Sequence, residues 1–316
     1  MWLMPLSPGR GFVAFLVVVA TLLTPRPGHA WGRQGHRIVA RIAAKNLLQT
    51  TREKLRAILG VSNAGLENAM ANASIWPDLI DRVATGTERW HFINVPISSP
   101  FSVAGLCTAG ECVIAQIENM QNRLQNNLTG FTLQAPPHPP RTMTSQQLAF
   151  LIHFVGDIHQ PLHAVVNGDR GGNCVGLTKP LAHAGTTIPD TTNLHSAWDI
   201  DEVLAAMKTH NSSEAATATV LFQRFKNGAA VTQATPTDWA RESSDLARSL
   251  VYQTLKIPNH SAAPGKCANG IKPVSITTTY LNNNIAAVEQ RLMQAGIRLS
   301  SILNEICKGT GCKAKP

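Results

Sequence analysis

Residues 147–165 read QLAFLIHFVGDIHQPLHAV, and this stretch decides the class of the fold. Apolar side chains fill almost every position from Leu148 to Val155, the composition of a helix buried on most sides. Yet the run carries His153 and Asp157. Their i, i+4 spacing sets both on one helical face, and a carboxylate and an imidazole in apolar surroundings must be paired or coordinated. Pro161 is expected to kink or end the helix, so that His163 turns back toward the same point. His159, two residues past Asp157, projects about 200° around the helix and reads as a structural side chain.

Helical periodicity continues on either side. Ile38, Val39, Ile42 and Leu47 form one stripe, and Ile285, Val288, Leu292, Ala295, Leu299 and Leu303 form a longer one near the C-terminus. Strand-like alternation is scarce. The Pro-rich stretch Ala135 to Arg141 and the Gly-, Thr- and Pro-rich stretch Asn167 to Thr192 read as loops, the second long enough to serve a site. Neither reads as a linker, because the histidine and aspartate pattern spans both. The expected fold class is all-α, a single mostly helical domain. With 316 residues, 44% hydrophobic and 15% charged, the chain has the apolar content for a full core and is not disordered. No repeat or heptad pattern points to a solenoid or coiled coil.

Residues 1–30 are set apart from this domain. A short segment ending at Arg10, the apolar run Gly11 to Leu23 and a close on Gly28-His29-Ala30 have the pattern of a signal peptide, too short in its apolar part for a membrane anchor. The domain proper is therefore expected to be residues 31–316, beginning at Trp31, in a secreted or periplasmic protein. Cleavage removes Arg10 and Arg26 and lowers the formal charge from +9 to +7. A basic surface steers phosphate-rich partners and also serves solubility, so alone it decides little.

All six cysteines lie beyond residue 30. In an exported chain an even count points to disulfides. The short Cys107–Cys112 and Cys307–Cys312 spacings suit two local loops and leave Cys174 with Cys267 by elimination, one of fifteen possible connectivities. No CxxC pair favours a zinc-thiolate site.

A second HxxxD pair, His195 and Asp199, lies in NLHSAWD. SIWPD supplies Asp78, WHFINVP supplies His91 and WGRQGH supplies His36. Singly each has a plain structural reading: Asp78 after Pro77 starts a helix, and His91 between Trp90 and Phe92 is a core histidine. Together, five histidines, three aspartates and the free amine expected at Trp31 make the nitrogen and oxygen donor set that zinc prefers.

WGxxGH, WxD, HF, HFxGDxxQPLH, GGN and NLHxxWD follow one another in this order from Trp31 to Asp199. In this the chain resembles the zinc-dependent single-strand nucleases of the nuclease S-one and nuclease P-one type, whose fold is shared with zinc-dependent phospholipase C. RESSDLARSLVY and AGIRLSSILNEI extend the resemblance over nearly all of residues 31–316. It implies a helical domain with three zinc ions in a cleft. One ion would be held by Asp78, His91, His153 and Asp157, and a second by His163, His195 and Asp199. The third would take the amine and carbonyl of Trp31 with His36, Asp157 bridging it to the first. Asp78, Asp157 and Arg82 would serve catalysis, and Phe92, Asn94, Gly172 and Asn173 would meet substrate.

The implied activity is endonucleolytic hydrolysis of single-stranded RNA and DNA to 5′-phosphate products, with 3′-nucleotidase activity, by a monomer without stable membrane association. Zinc supplies an acidified water and charge compensation, so no Ser, Cys or His nucleophile is needed. Two departures stand out. The family often carries an arginine three residues after the aspartate of WxD; here that place is Asp81 and the arginine follows as Arg82. Asn94 replaces an aspartate beside the base pocket, which bears on base preference. The loop between Asn173 and Asn193 is long for the family, and its His183 is expected in solvent. A zinc-dependent phospholipase C is the competing function, and a non-catalytic zinc-binding protein a remote one.

Overall fold

The computed structural model describes residues 31–131, 133 and 142–315; the expected signal peptide and the Ala135–Arg141 loop lie outside them. Ten α-helices, several short 3-10 and π turns and a two-stranded sheet lie among the described residues. Helices α1 (Arg33–Lys45), α2 (Gln49–Leu59), α3 (Leu66–Ala73) and α4 (Val113–Asn126) lead to α5 (Met143–Asp157). Every residue of α5 from Thr144 to Asp157 is buried, as its unbroken apolar run requires. A Thr142–Ser145 capping box starts it. It ends at Asp157 for a reason set by Pro161, whose ring in a continued helix would strike the carbonyl four residues back, that of Asp157. A tight turn, Pro161–Ala164, follows and presents His163.

The remaining helices are α6 (Leu194–Ser196), α7 (Glu202–Lys208), α8 (Glu214–Lys226), α9 (Pro236–Leu246) and α10 (Thr278–Ile306). Helix α6 runs into α7 through a π turn, Ala197–Asp201, that carries Asp199; such turns gather at functional sites. The expected C-terminal stripe is the buried face of α10, where Val288, Leu292, Ala295, Leu299 and Leu303 are buried. Helices α1 and α10 pack together closely at Gly296, where a Cβ would come within 2.5 Å of Ile42. Burial of Ile42 or Leu299, both fully enclosed, contributes about 1.5–3 kcal/mol each.

The stretch read as the loop Asn167 to Thr192 is partly ordered as sheet. Strand β1 (Gly176–Leu181) pairs antiparallel with β2 (Thr191–Asn193), Gly176 opposite Asn193, and β1 is joined on its other side by Val274. No residue of β1 is fully buried and half are exposed, so no apolar alternation marks it in the sequence. The sheet delivers Asn193, whose side chain caps α6 through the N–H of Ser196 at 2.9 Å. His183, expected in solvent, is instead largely buried, its Nε2 3.4 Å from Oδ1 of Asp201; the hairpin folds its connection back onto the π turn. The three expected disulfides, Cys107–Cys112, Cys174–Cys267 and Cys307–Cys312, are present.

Candidate metal centre

Three clusters of donor atoms converge beneath α5. Asp78 ends the turn Trp76–Asp78, His91 ends the turn Glu88–His91, and His153 and Asp157 share one face of α5. Nε2 of His153 lies 3.0 Å from Nδ1 of His91 and 3.5 Å from Oδ1 of Asp78. The two oxygens of Asp157 divide the site. Oδ2 faces His91 at 3.0 Å and His153 at 3.3 Å, while Oδ1 faces Nε2 of His36 at 3.3 Å. The ring of His36 stacks on that of His153, centroids 3.9 Å apart. In the third cluster Nε2 of His195 is 3.1 Å from Nε2 of His163 and 3.5 Å from Oδ2 of Asp199.

Backbone carbonyls fix the imidazoles. Nδ1 of His153 donates to Ser74 O at 2.7 Å, Nδ1 of His163 to His91 O at 2.7 Å, and Nδ1 of His195 to Gly171 O at 2.6 Å. A carbonyl only accepts, so in each neutral ring the proton sits on Nδ1 and the Nε2 lone pair points into its cluster. Between His163 and His195 two lone pairs therefore face each other. Burial, reinforced by the neighbouring His195, holds the His163 pKa well below the usual imidazole range.

The carboxylates tell the same story. Burial, with the charge of Asp78 next, pushes the Asp157 carboxyl well above its ordinary range. Burial raises Asp199 as well, against a hydrogen bond from Gln160 that lowers it. Buried acids and neutral imidazoles aimed at common points need a cation to offset them. A tetrahedral zinc bound at about 2.0–2.1 Å spaces its donors about 3.3–3.4 Å apart, close to the 3.0–3.5 Å separations found here. Oδ1 of Asp157 and Oδ2 of Asp199 accept no hydrogen bond among the described residues. The donor set thus fits zinc, in the three groups Asp78–His91–His153, His36–His153–Asp157 and His163–His195–Asp199.

Gly156 and Gly32 make room for this packing. A Cβ on Gly156 would stand 2.7 Å from Nδ1 of His36, and one on Gly32 would stand 2.9 Å from the Asp199 carbonyl. That carbonyl accepts the Gly32 N–H at 2.6 Å, which ties the beginning of the domain to the π turn. Trp31 is fully buried.

The chain matches the S1/P1 Nuclease family over residues 31–308. The chain belongs to this family. It is 31% identical to Endonuclease 3 of Arabidopsis thaliana across 87% of this chain and 88% of that protein. It is 30% identical to Nuclease S1 of Aspergillus oryzae, over 67% and 68%, and 26% identical to Nuclease P1 of Penicillium citrinum, over 87% and 97%. S1/P1 nucleases are zinc-dependent, and the three donor groups correspond to three ions. This S1/P1 nuclease is accordingly an endonuclease-type hydrolase of phosphodiester bonds.

Around the centre the other expected residues take distinct places. Arg82 reaches Oδ1 of Asp78 at 3.3 Å across i, i+4, so the shifted arginine still meets that carboxylate. Phe92 is half-buried and Asn94 exposed, with Ile93 and Val95 buried between and after them; the two share the outward side of an extended segment. Gly171 and Gly172, with φ of +60° and +84°, bend the loop so that the Gly171 carbonyl meets His195. Asn173, half-buried, turns its amide onto Arg170 O at 2.9 Å. His159 points away, held between Val155 O and Arg298. Gly156 and Gln160 stand in the HFxGDxxQPLH motif, but their packing and bonding roles, like the Ser74 and Gly171 carbonyls, emerge only from the fold.

Proposed function

We propose that the protein hydrolyses single-stranded RNA and DNA endonucleolytically to 5′-phosphate products and removes phosphate from 3′-nucleotides. In this reading Asp78, His91, His153 and Asp157 hold one zinc, and His163, His195 and Asp199 a second. The amine and carbonyl of Trp31 hold the third with His36 and Asp157. Zinc, when bound, supplies an acidified water as nucleophile and neutralises charge on the phosphate and the leaving oxygen. Arg82 braces Asp78, and the Gly171 carbonyl braces His195. Gly172 and Asn173 border the phosphate, and export past residues 1–30 delivers a monomer to a secreted or periplasmic location. No helix among the described residues is long and apolar enough to cross a membrane.

The observation that carries the substrate class is the pairing of Phe92 with Asn94 on the outward side, one residue beyond the buried His91. An aromatic platform beside a phosphate site stacks a splayed base of any kind, and a lipid headgroup has no such need. A stacked base must leave its own stack, at a cost of a few kcal/mol in a duplex and much less in a single strand. Rates on single-stranded DNA and RNA, duplex DNA and phosphatidylcholine, measured side by side, test this. Single strands should be cut far faster, and Phe92→Ala should slow polymer cleavage without changing the zinc content. Equal rates on duplex and single strand, or preference for phosphatidylcholine, would overturn the reading in favour of a generic or phospholipase site.

A further inference from the structure

Gln160 lies three residues after Asp157 and three before His163, fully enclosed at 0% exposure. Preceding Pro161, it is held extended, with φ −82° and ψ 122°. Its polar groups touch both flanking donors and a third one. Its N–H donates to Asp157 O at 3.0 Å, and its carbonyl accepts the N–H of His163 at 3.1 Å. In the side chain, Oε1 accepts the Leu162 N–H, and Nε2 donates to Oδ1 of Asp199 at 2.6 Å. The carboxamide is thereby oriented, because a flip would set its oxygen against a carboxylate and its NH2 against an N–H.

The consequence falls on Asp199. With Oδ1 committed to Gln160, the other oxygen, Oδ2, is the one turned to the cluster, 3.5 Å from Nε2 of His195, and it accepts no hydrogen bond among the described residues. The segment bearing Gln160 is itself braced. Ser243 Oγ donates to Ile158 O at 2.6 Å, Nε of Arg291 to His159 O at 3.2 Å, and Arg298 to Nε2 of His159 at 2.9 Å. Both arginines pair with Glu242. This network, two buried arginines paired with a partly exposed Glu242, ties the segment 158–160 to α9 and α10.

We propose that Gln160 is a positioning residue: it fixes Asp199 as a one-oxygen ligand and sets the register of the His163–His195–Asp199 group against Asp157. This rests on the ligand reading above. The role requires a donor at the end of a side chain of this length. Methionine preserves the length and removes the donor. Glutamate preserves the shape and puts a second carboxylate where the 2.6 Å hydrogen bond now lies.

The test is zinc per chain and zinc release to a graded chelator for the exported protein, Gln160→Met and Gln160→Glu, with far-UV circular dichroism as the check on folding. The unsubstituted protein should hold three ions. Gln160→Met should keep two at unchanged chelator resistance and bind the remaining one about 10–100-fold more weakly, the usual effect of losing a residue that orients a ligand. Gln160→Glu should lose that ion outright at neutral pH. A residue that only supported the fold would lower all three affinities together, so uniform loss overturns the proposal, as does three-ion binding of native strength in both variants. If the unsubstituted protein holds fewer than three ions, the ligand reading fails instead. Should Gln160→Glu not fold, Gln160→Met decides alone.

Discussion

Oδ1 of Asp157, at the end of α5, lies 3.3 Å from Nε2 of His36 on α1, while its second oxygen faces His91 and His153. One carboxylate thus faces two donor groups from two directions, the geometry that the proposed bridging role needs. An amide offers a single neutral oxygen and cannot do this. Asp157→Asn should lower the zinc content below two ions per chain and the hydrolysis rate by at least about a hundredfold. Near-normal zinc content and rate in that variant would show that Asp157 does not bridge.

The approach of α5 to α1 that places these atoms depends on a missing side chain. Gly156→Ala would drive a Cβ to 2.7 Å from the His36 ring, which is stacked on His153 and cannot yield freely. Overpacking of this kind costs about 1–3 kcal/mol. The variant should melt lower and lose the ion nearest His36 before the others, as elemental analysis and a thermal scan will show.

The proposed third ion also depends on how the chain begins. An amide nitrogen is a far poorer ligand than a free amine, so a chain still carrying residues 1–30, or one methionine ahead of Trp31, should lack one zinc and be nearly inactive. A tag after Pro316 should do no harm. N-terminal sequencing of the active enzyme, with zinc counts for both beginnings, decides the matter; full zinc in the extended form would remove Trp31 from the ligand set.

Just beyond the π turn, Glu202 is fully buried, and burial pushes its carboxyl up to about 8 from an ordinary value of 4.5, against a hydrogen bond from Asn284 that lowers it. Between those values the unfolded chain releases this proton and the folded chain keeps it. Stability contributed here is thus present at low pH and lost as pH rises from about 4.5 to 8, a change on the order of a few kcal/mol. Glu202→Gln removes the titration. The gap in unfolding midpoint between the two proteins should shift in favour of Glu202→Gln across that window; a constant gap would mean Glu202 is ionised in the folded protein.

How much of this was legible in the sequence follows from what side-chain periodicity reports. The i, i+4 spacing of His153 with Asp157, and of His195 with Asp199, places each pair on one face whatever the rest of the chain does, so both clusters were readable. Pro161 announced the helix end that releases His163. The carbonyls of Ser74, His91 and Gly171 that orient the imidazoles were not readable, because every residue has a carbonyl and only tertiary structure selects which one meets a ring. The β1–β2 hairpin leaves no such signal, because its half-exposed first strand has no apolar alternation. His183 lies against Asp201 and not in solvent for the same reason: only the hairpin returns it there. The π turn at Asp199 leaves no mark in an apolar pattern that an α-helix would share.

The three clusters together are expected to hold three zinc ions that the reaction requires. The decisive measurement is zinc per chain on the active protein before and after stepwise chelation, with hydrolysis followed in parallel. Three ions, and loss of hydrolysis as they are withdrawn, are the expected result. An active preparation with one ion or none, or full activity after complete chelation, would contradict it.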